Sequence, residues 1–457
     1  MKNPFIEESV LFISILKWVV IATGIGIVVG LSTSLFLKLL DWTVAFTTGY
    51  SYYFLLMPAG LLISALIIHH VEPDIKGYGI EKVVEAIHKR AGKIKAAVFP
   101  IKLVATIITI ATGGSAGQVG PCGQIGASLS SYIAELFRFD ENDRKKIVIC
   151  GISAGFASVL GAPFAGAIFG VEVLYVGSIL YEVLLPSIIA GITSYQIASW
   201  IGINYQYFPV NFVPILSEAF ILKIVMAGIF FGICSIILIE GLRLGEKAAN
   251  KMSTSLILRA LAGGTALIGL TFIFSTQFLG TGLETIQASL RGEKILLYAF
   301  LLKVLFTSIT LNFGGTGGIV MPILFIGAAS GSMYAEVFGL DKATFAAVGF
   351  VSLLAGAANT PIAASILAIE FFGSAIAPYA AIACIVSFLM TGHRSVFPSQ
   401  ILALKKSSSV QVEIGKELES MKTEVKVRDK SLIGVALKIK DKIKNKLRNN
   451  NSDETKK

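Results

Sequence analysis

The chain has 457 residues, 54% of them hydrophobic and only 15% charged, with 45 glycines and a mean hydropathy of +0.76. Soluble globular chains carry about 25% charged residues, so too little polar sequence is present to clothe a water-soluble core of this size. The net charge of +10 is uneven: residues 404–457 hold fifteen Lys/Arg against eight Asp/Glu, and the rest is nearly neutral, which speaks against a nucleic-acid partner.

Taken in chain order, Glu7 and Glu8 precede a long apolar run without the basic flank of a signal peptide. Long runs follow at Val10–Leu40, Tyr52–His70, Ala96–Thr112, Ile215–Ile239 and Leu256–Phe278. Most reach the roughly 20 residues that a membrane helix needs. Shorter or interrupted runs cover Cys122–Phe137, Ile147–Leu160, Phe164–Tyr175, Ile319–Phe338 and Ala346–Ala358, punctuated by Gly and Pro. The fold class expected is therefore an all-α polytopic membrane protein with many broken helices. A transmembrane barrel would instead show alternating segments of about 10 residues. Interrupted backbone at membrane depth is tolerated only where it faces protein or a water-filled path, and this pattern points to a transport pathway.

An internal repeat supports that reading. Lys102–Ala127 aligns with Lys303–Ala328 at an offset of 201, with 12 identities in 26 positions and no gap. A second match, at an offset of 198, pairs Pro163 with Pro361 and Glu172 with Glu370. Repeated halves with broken helices place a substrate site near the midplane. The domain division expected is 1–403 as a transmembrane domain, with halves at about 10–205 and 206–403, and 404–457 as a basic cytoplasmic tail. Within that tail Leu432, Ala436, Ile439, Ile443 and Leu447 form one helical stripe among lysines. It suits a helix lying on anionic membrane lipids or a solvated tail, and by the positive-inside rule it marks the C-terminus as cytoplasmic.

Both repeats put a Gly-rich turn ahead of an apolar helix, at GGSAGQVGPCGQIGA from Gly113 and GGTGGIVMPILFIGA from Gly314. Free N–H groups at such helix starts bind anions without a full charge, and glycine-rich turns serve helix packing as well. Lys102 and Lys303 occupy equivalent positions, open either to snorkelling toward an interface or to anion attraction. Glu172, with its repeat partner Glu370, is expected to cap backbone amides. Cys122, Cys150, Cys234 and Cys384, with His69, His70, His88 and His393, show neither metal-ligand spacing nor a catalytic triad. No enzyme activity, metal or cofactor is expected.

These motifs resemble the chloride-channel (CLC) family. GGSAGQVGP is similar to its G-K/R-E-G-P signature, GGIVMP to G-x-F-x-P, KGYGIEKVVEAIHKRAGKI to the segment bearing G-S-G-I-P, and GHRSVFPSQ to the last membrane helix. The likeness runs from about residue 10 to 400. It implies an inverted repeat, a multi-pass protein of the cell membrane, and a homodimer with one pore per subunit, with chloride or another small anion as ligand. By position, the anion would sit against Gly318, Ile319, Val320 and Met321, with Gly77, Tyr78, Gly79 and Ile80 on one side and Phe397 on another. The outer site and gate would be Gly117, Gln118, Val119, Gly120 and Pro121.

The departures from the motifs carry the mechanistic expectation. Val119 stands where the family has its gating glutamate, Gln118 replaces the neighbouring Lys or Arg, and Val173 stands where the inner proton-relay glutamate falls. Tyr78 replaces a serine and Phe397 a tyrosine. The Tyr78 ring is expected either to fill the space that the small Val320 leaves, as a donor to the anion or as the constriction, or to point away and be merely packed. With both carboxylates missing, the expected function is a passive, anion-selective chloride channel uncoupled from protons. The alternative is a chloride/proton antiporter with an unrecognised proton route.

Overall fold

Sixteen α-helices make up the described part of a computed structural model, which covers residues 4–71, 79–205, 207, 217–252, 255–407, 410 and 412–420. The first half contains α1 (Pro4–Thr48), α2 (Met57–Val71), α3 (Ile80–Lys89), α4 (Val98–Ala111), α5 (Val119–Leu136), α6 (Glu141–Leu160), α7 (Pro163–Glu172) and α8 (Tyr181–Trp200). The second contains α9 (Glu218–Met252), α10 (Leu256–Phe274), α11 (Leu283–Leu290), α12 (Ala299–Asn312), α13 (Val320–Phe338), α14 (Lys342–Ala358), α15 (Pro361–Phe372) and α16 (Ala377–Thr391). Two short strands, β1 (Tyr175–Val176) and β2 (Ile401–Leu402), pair in parallel and tie the halves together.

The same local chemistry bounds equivalent helices in the two halves. Asp140 accepts a hydrogen bond from Asp143 N at the start of α6, and Asp341 accepts one from Thr344 N at the start of α14. Each helix ends on a left-handed residue, Gly161 (φ +72°) or Asn359 (φ +58°). The pairs α5·α6 and α13·α14 cross at glycines: Gly126 lies against the Gly151 carbonyl, and Gly327 against that of Gly349. A side chain at either crossing would force the helix backbones apart.

Among the described residues six helices are long and apolar enough to cross a membrane, and several further apolar ones are shorter. The run Ala96–Thr112, expected to span, yields an α4 of only 14 residues, about 21 Å at the α-helical rise. It ends because Gly113 turns to φ +102°, as Gly314 does at +113° after α12, a region closed to most L side chains. Conversely Ile319–Phe338, expected to be interrupted, forms the continuous 19-residue α13. Pro322 lies in its first turn, where a missing N–H removes no intrahelical bond. Most of α13 is buried inside the protein, whereas α1 is largely exposed. The glycine-started helices are thus enclosed by the apolar outer ones. This is the all-α, repeat-built architecture expected from sequence.

Candidate anion site

The two Gly-rich loops meet back to back. Gly117 N donates to Gly318 O and Gly318 N to Gly117 O, both at 2.7 Å, forming a single antiparallel bridge between equivalent residues. Each loop is also gripped by the other half's helix. Ser115 N donates to Thr310 Oγ1 (3.0 Å) and Thr316 N to Thr109 Oγ1 (3.1 Å). These pairs are again 201 apart, so the alignment seen in sequence is a local two-fold in space.

This bracket fixes the starts of α5 and α13 side by side. Val119 and Val320 each hold the first helical position and are fully buried. Neither Gln118 nor Ile319, the residues ahead of them, gives its helix a side-chain cap. The first N–H groups of an α-helix have no partner within it, and Pro121 and Pro322 supply none. Both helix starts therefore present a short row of backbone donors with the positive end of the dipole behind it.

A third helix start joins them. Gly79 precedes α3 at φ +79°, and a methyl group there would stand 2.9 Å from the Gly120 carbonyl carbon. A methyl at Gly318 would lie 2.5 Å from Gly120 N, and one at Gly117 would lie 2.7 Å from Met321 Cβ. Glycine at 79, 117 and 318 is what allows these backbones to converge. Ile80, Ile319 and Met321 are buried around them. Gly77 and Tyr78 lie outside the described residues, as does the tail stripe 432–447.

Phe397 is fully buried and is held in a polar turn. Its N–H donates to Ser395 Oγ (2.9 Å), which donates to Gln400 Oε1 (2.6 Å). Gln400 Nε2 in turn donates to the carbonyls of Val173 (2.7 Å) and Ala358 (2.9 Å). Val173 thus contributes its backbone to holding the Phe397 segment and offers no titratable side chain.

The capping expected of the two carboxylates is present. Glu172 accepts from Ile362 N (3.1 Å) and Ala363 N (2.8 Å) at the start of α15. Glu370 accepts from Phe164 N (3.0 Å) and Ala165 N (2.8 Å) at the start of α7. Snorkelling of the lysines is not what the structure has: Lys102 and Lys303 are fully buried. Lys303 Nζ donates to the carbonyls of Phe278 (3.0 Å) and Gly280 (2.9 Å) and stands 5.0 Å from the Phe325 ring centre. Lys102 Nζ donates to Thr316 Oγ1 at 2.7 Å, on the loop that leads to Ile319.

Sequence reading missed Thr109, Thr310, Ser115 and Thr316 as the bracket. Their shared offset of 201 was the available signal.

Paired glycine-started helices inside a repeat-built, multi-pass membrane protein define an ion pathway of the anion-handling kind. The chain belongs to the voltage gated chloride channel (CLC) family, whose model matches residues 59–392. It is 32% identical over 401 residues to a "chloride/fluoride channel protein" of Pseudomonas syringae pv. tomato, covering 86% of this chain and 88% of the relative. Among solved structures it is similar to a CLC-type fluoride/proton antiporter, with a TM-score of 0.80 and 26% identity over 84% of this chain and 97% of that one. A slow cyanobacterial Cl⁻/H⁺ antiporter shares the fold, with a TM-score of 0.71 at 18% identity over 82% of this chain and 94% of its own.

Proposed function

We propose that this protein conducts halide ions passively, without moving protons, and that chloride is its reference ion. The carrying observation is that Val119 and Val320, both buried and neither titratable, stand at the two opposed helix starts. An anion lodged there meets backbone N–H groups and two valine side chains. Nothing at position 119 or 173 can take up a proton in exchange. A neutral cradle binds an anion weakly enough to release it, as conduction requires. Central binding rests on Ile319 and Val320 N–H, flanked by Gly79 and Phe397. The outer position rests on the start of α5.

Fluoride is the second substrate reading, favoured by the printed names of the Pseudomonas relative and of the fluoride/proton antiporter. We further propose a homodimer with one pore per subunit in the cell membrane and a cytoplasmic C-terminus, toward which the basic tail is drawn.

The test is anion efflux from liposomes with simultaneous proton recording, run in chloride and in fluoride. Uncoupled conduction gives a reversal potential that follows the halide gradient alone and no halide-driven proton uptake. Val119→Glu is expected to make transport sensitive to protons. Stoichiometric proton movement by the wild type would overturn the passive reading and favour the antiporter.

A further inference from the structure

A cavity of about 570 Å³ opens on the face of the molecule that carries Pro398, Ser399 and Glu419. Its wall includes Glu81 and Glu85 of α3, Glu246 of α9, Arg259 of α10, Thr316 and Ser399. Three of these lie next to the anion site in sequence: Glu81 follows Gly79 by two residues, Thr316 precedes Ile319 by three, and Ser399 follows Phe397 by two. The cavity is thus lined by close chain neighbours of three segments that build the site. Glu81 stands where the family's G-S-G-I-P motif has its proline.

The charge on the cavity wall runs against anion entry. Glu81, Glu85, Glu246 and Glu419 line it, against Lys82 and Arg259. Lys82 is engaged with Glu85 at 2.8 Å, and Lys89 at the far end of α3 is shared between Glu85 and Glu417. Glu85 is thereby held below the usual carboxylate range, chiefly by its hydrogen bond from Lys82. Glu81 has no such partner among the described residues. Burial raises its pKa to about 7, and repulsion from Glu419, Glu85 and Glu246 opposes the Lys82 attraction. The helix α3 is amphipathic and is not among the membrane-spanning helices.

We propose that Glu81 is a proton-binding site on the wall of the anion's inner approach, and that its ionised form slows anion entry from that face. Protonated, Glu81 leaves an approach with one negative charge fewer and admits the anion; ionised, it adds a charge of the same sign as the permeant ion. No proton crosses the membrane in this scheme. Glu81 sets the rate of entry and takes no part in exchange. The proposal rests on the passive halide-conduction reading.

The test is current through planar bilayers holding the full-length protein, with each chamber acidified separately from about pH 8 to about pH 6, on either side of the Glu81 range. Halide current entering from the cavity face is expected to rise roughly three- to tenfold, the range that one charge on a water-filled wall gives by Coulomb's law. Acid on the opposite face should leave it unchanged. Glu81→Gln should be high and flat with pH, and Glu81→Asp should retain a pH response. A flat wild type, or a Glu81→Gln variant that still responds, overturns the proposal. A wild type silent in every halide overturns the conduction reading instead. The proton site is then judged by infrared difference spectra of the same protein, where a carboxylic-acid band lost between the two pH values must vanish in Glu81→Gln. Persistence of that band in the variant overturns it too.

Discussion

Glu172 is the buried carboxylate next to Val173, and replacing it separates a structural role from a proton-carrying one. Its two oxygens accept from Ile362 N and Ala363 N, and the side chain is 5% exposed. Hydrogen bonds to a charged group contribute about 1.5–3 kcal/mol each. Glu172→Gln keeps one carbonyl acceptor but presents an NH₂ to the second amide, so one charge-assisted bond is lost and the other weakens. We expect a loss of about 2–4 kcal/mol in equilibrium unfolding from mixed micelles. Glu370→Gln should cost less, because Glu370 is half-exposed and one of its contacts, to Phe164 N, is open to solvent. Halide flux per folded protein, and its independence of protons, should be the same in wild type and Glu172→Gln. A stable Glu172→Gln variant with altered proton movement would refute the capping role and place Glu172 on a proton route.

The bracket makes further predictions. Gly318→Ala puts a methyl 2.5 Å from Gly120 N and 3.0 Å from Pro121 Cδ; overpacking of this kind costs about 1–3 kcal/mol. Flux assays should show most conduction lost, and full conduction would refute convergence at glycine. Thr109→Val and Thr310→Val each strip the acceptor from one cross-repeat N–H. Similar losses of about 1–3 kcal/mol are expected from the two, and a large inequality by thermal unfolding would count against a two-fold bracket. Lys303→Met leaves the carbonyls of Phe278 and Gly280 without their donor, so it should lower stability with halide selectivity kept. Lys102→Met should chiefly lower flux, and the opposite pattern in the two variants would reverse their roles.

Much of the scaffold is legible in the sequence because symmetry writes it twice. The glycines and prolines of the two loops align, and so do Glu172 and Glu370, whose pairing already suggests reciprocal caps. Hydropathy misjudged where helices stop, since Ala96–Thr112 stays predominantly apolar to its end and only the positive φ at Gly113 ends α4. It also broke α13 at a proline that the first turn of a helix tolerates. Threonines inside apolar helices carry no outward sign of bridging to the other half. Gln400 was invisible for a different reason: it joins Val173, Ala358 and Ser395, which are far apart in sequence. The Glu81 cavity likewise assembles from α2, α3, α9, α10, α12 and the segments around 314–316, 398–399 and Glu419, a convergence that no periodicity encodes.

Symmetry explains how the cradle is built but not how it acquires a direction. Gly117 and Gly318, Thr109 and Thr310, and Val119 and Val320 match across the bridge, so these parts alone would hold an anion equally from either face. The halves part company at the lysines. Lys303 is satisfied by two carbonyls and an aromatic face, which leaves its Nζ little capacity to serve an ion. Lys102, equally buried, has one hydroxyl partner among the described residues, on the loop leading to Ile319. A lysine at bilayer depth costs about 2.5–3.5 kcal/mol on insertion scales, so an incompletely partnered one is stabilised when an anion comes near. The acidic cavity lies on the Lys102 side as well, since Thr316 both accepts from Lys102 and lines that cavity. Lys102 and the acidic wall thus share Thr316 as a neighbour, and on the proposed reading one attracts the anion while the other repels it. The balance between them rests on a few side chains, because the transmembrane body as a whole is almost neutral.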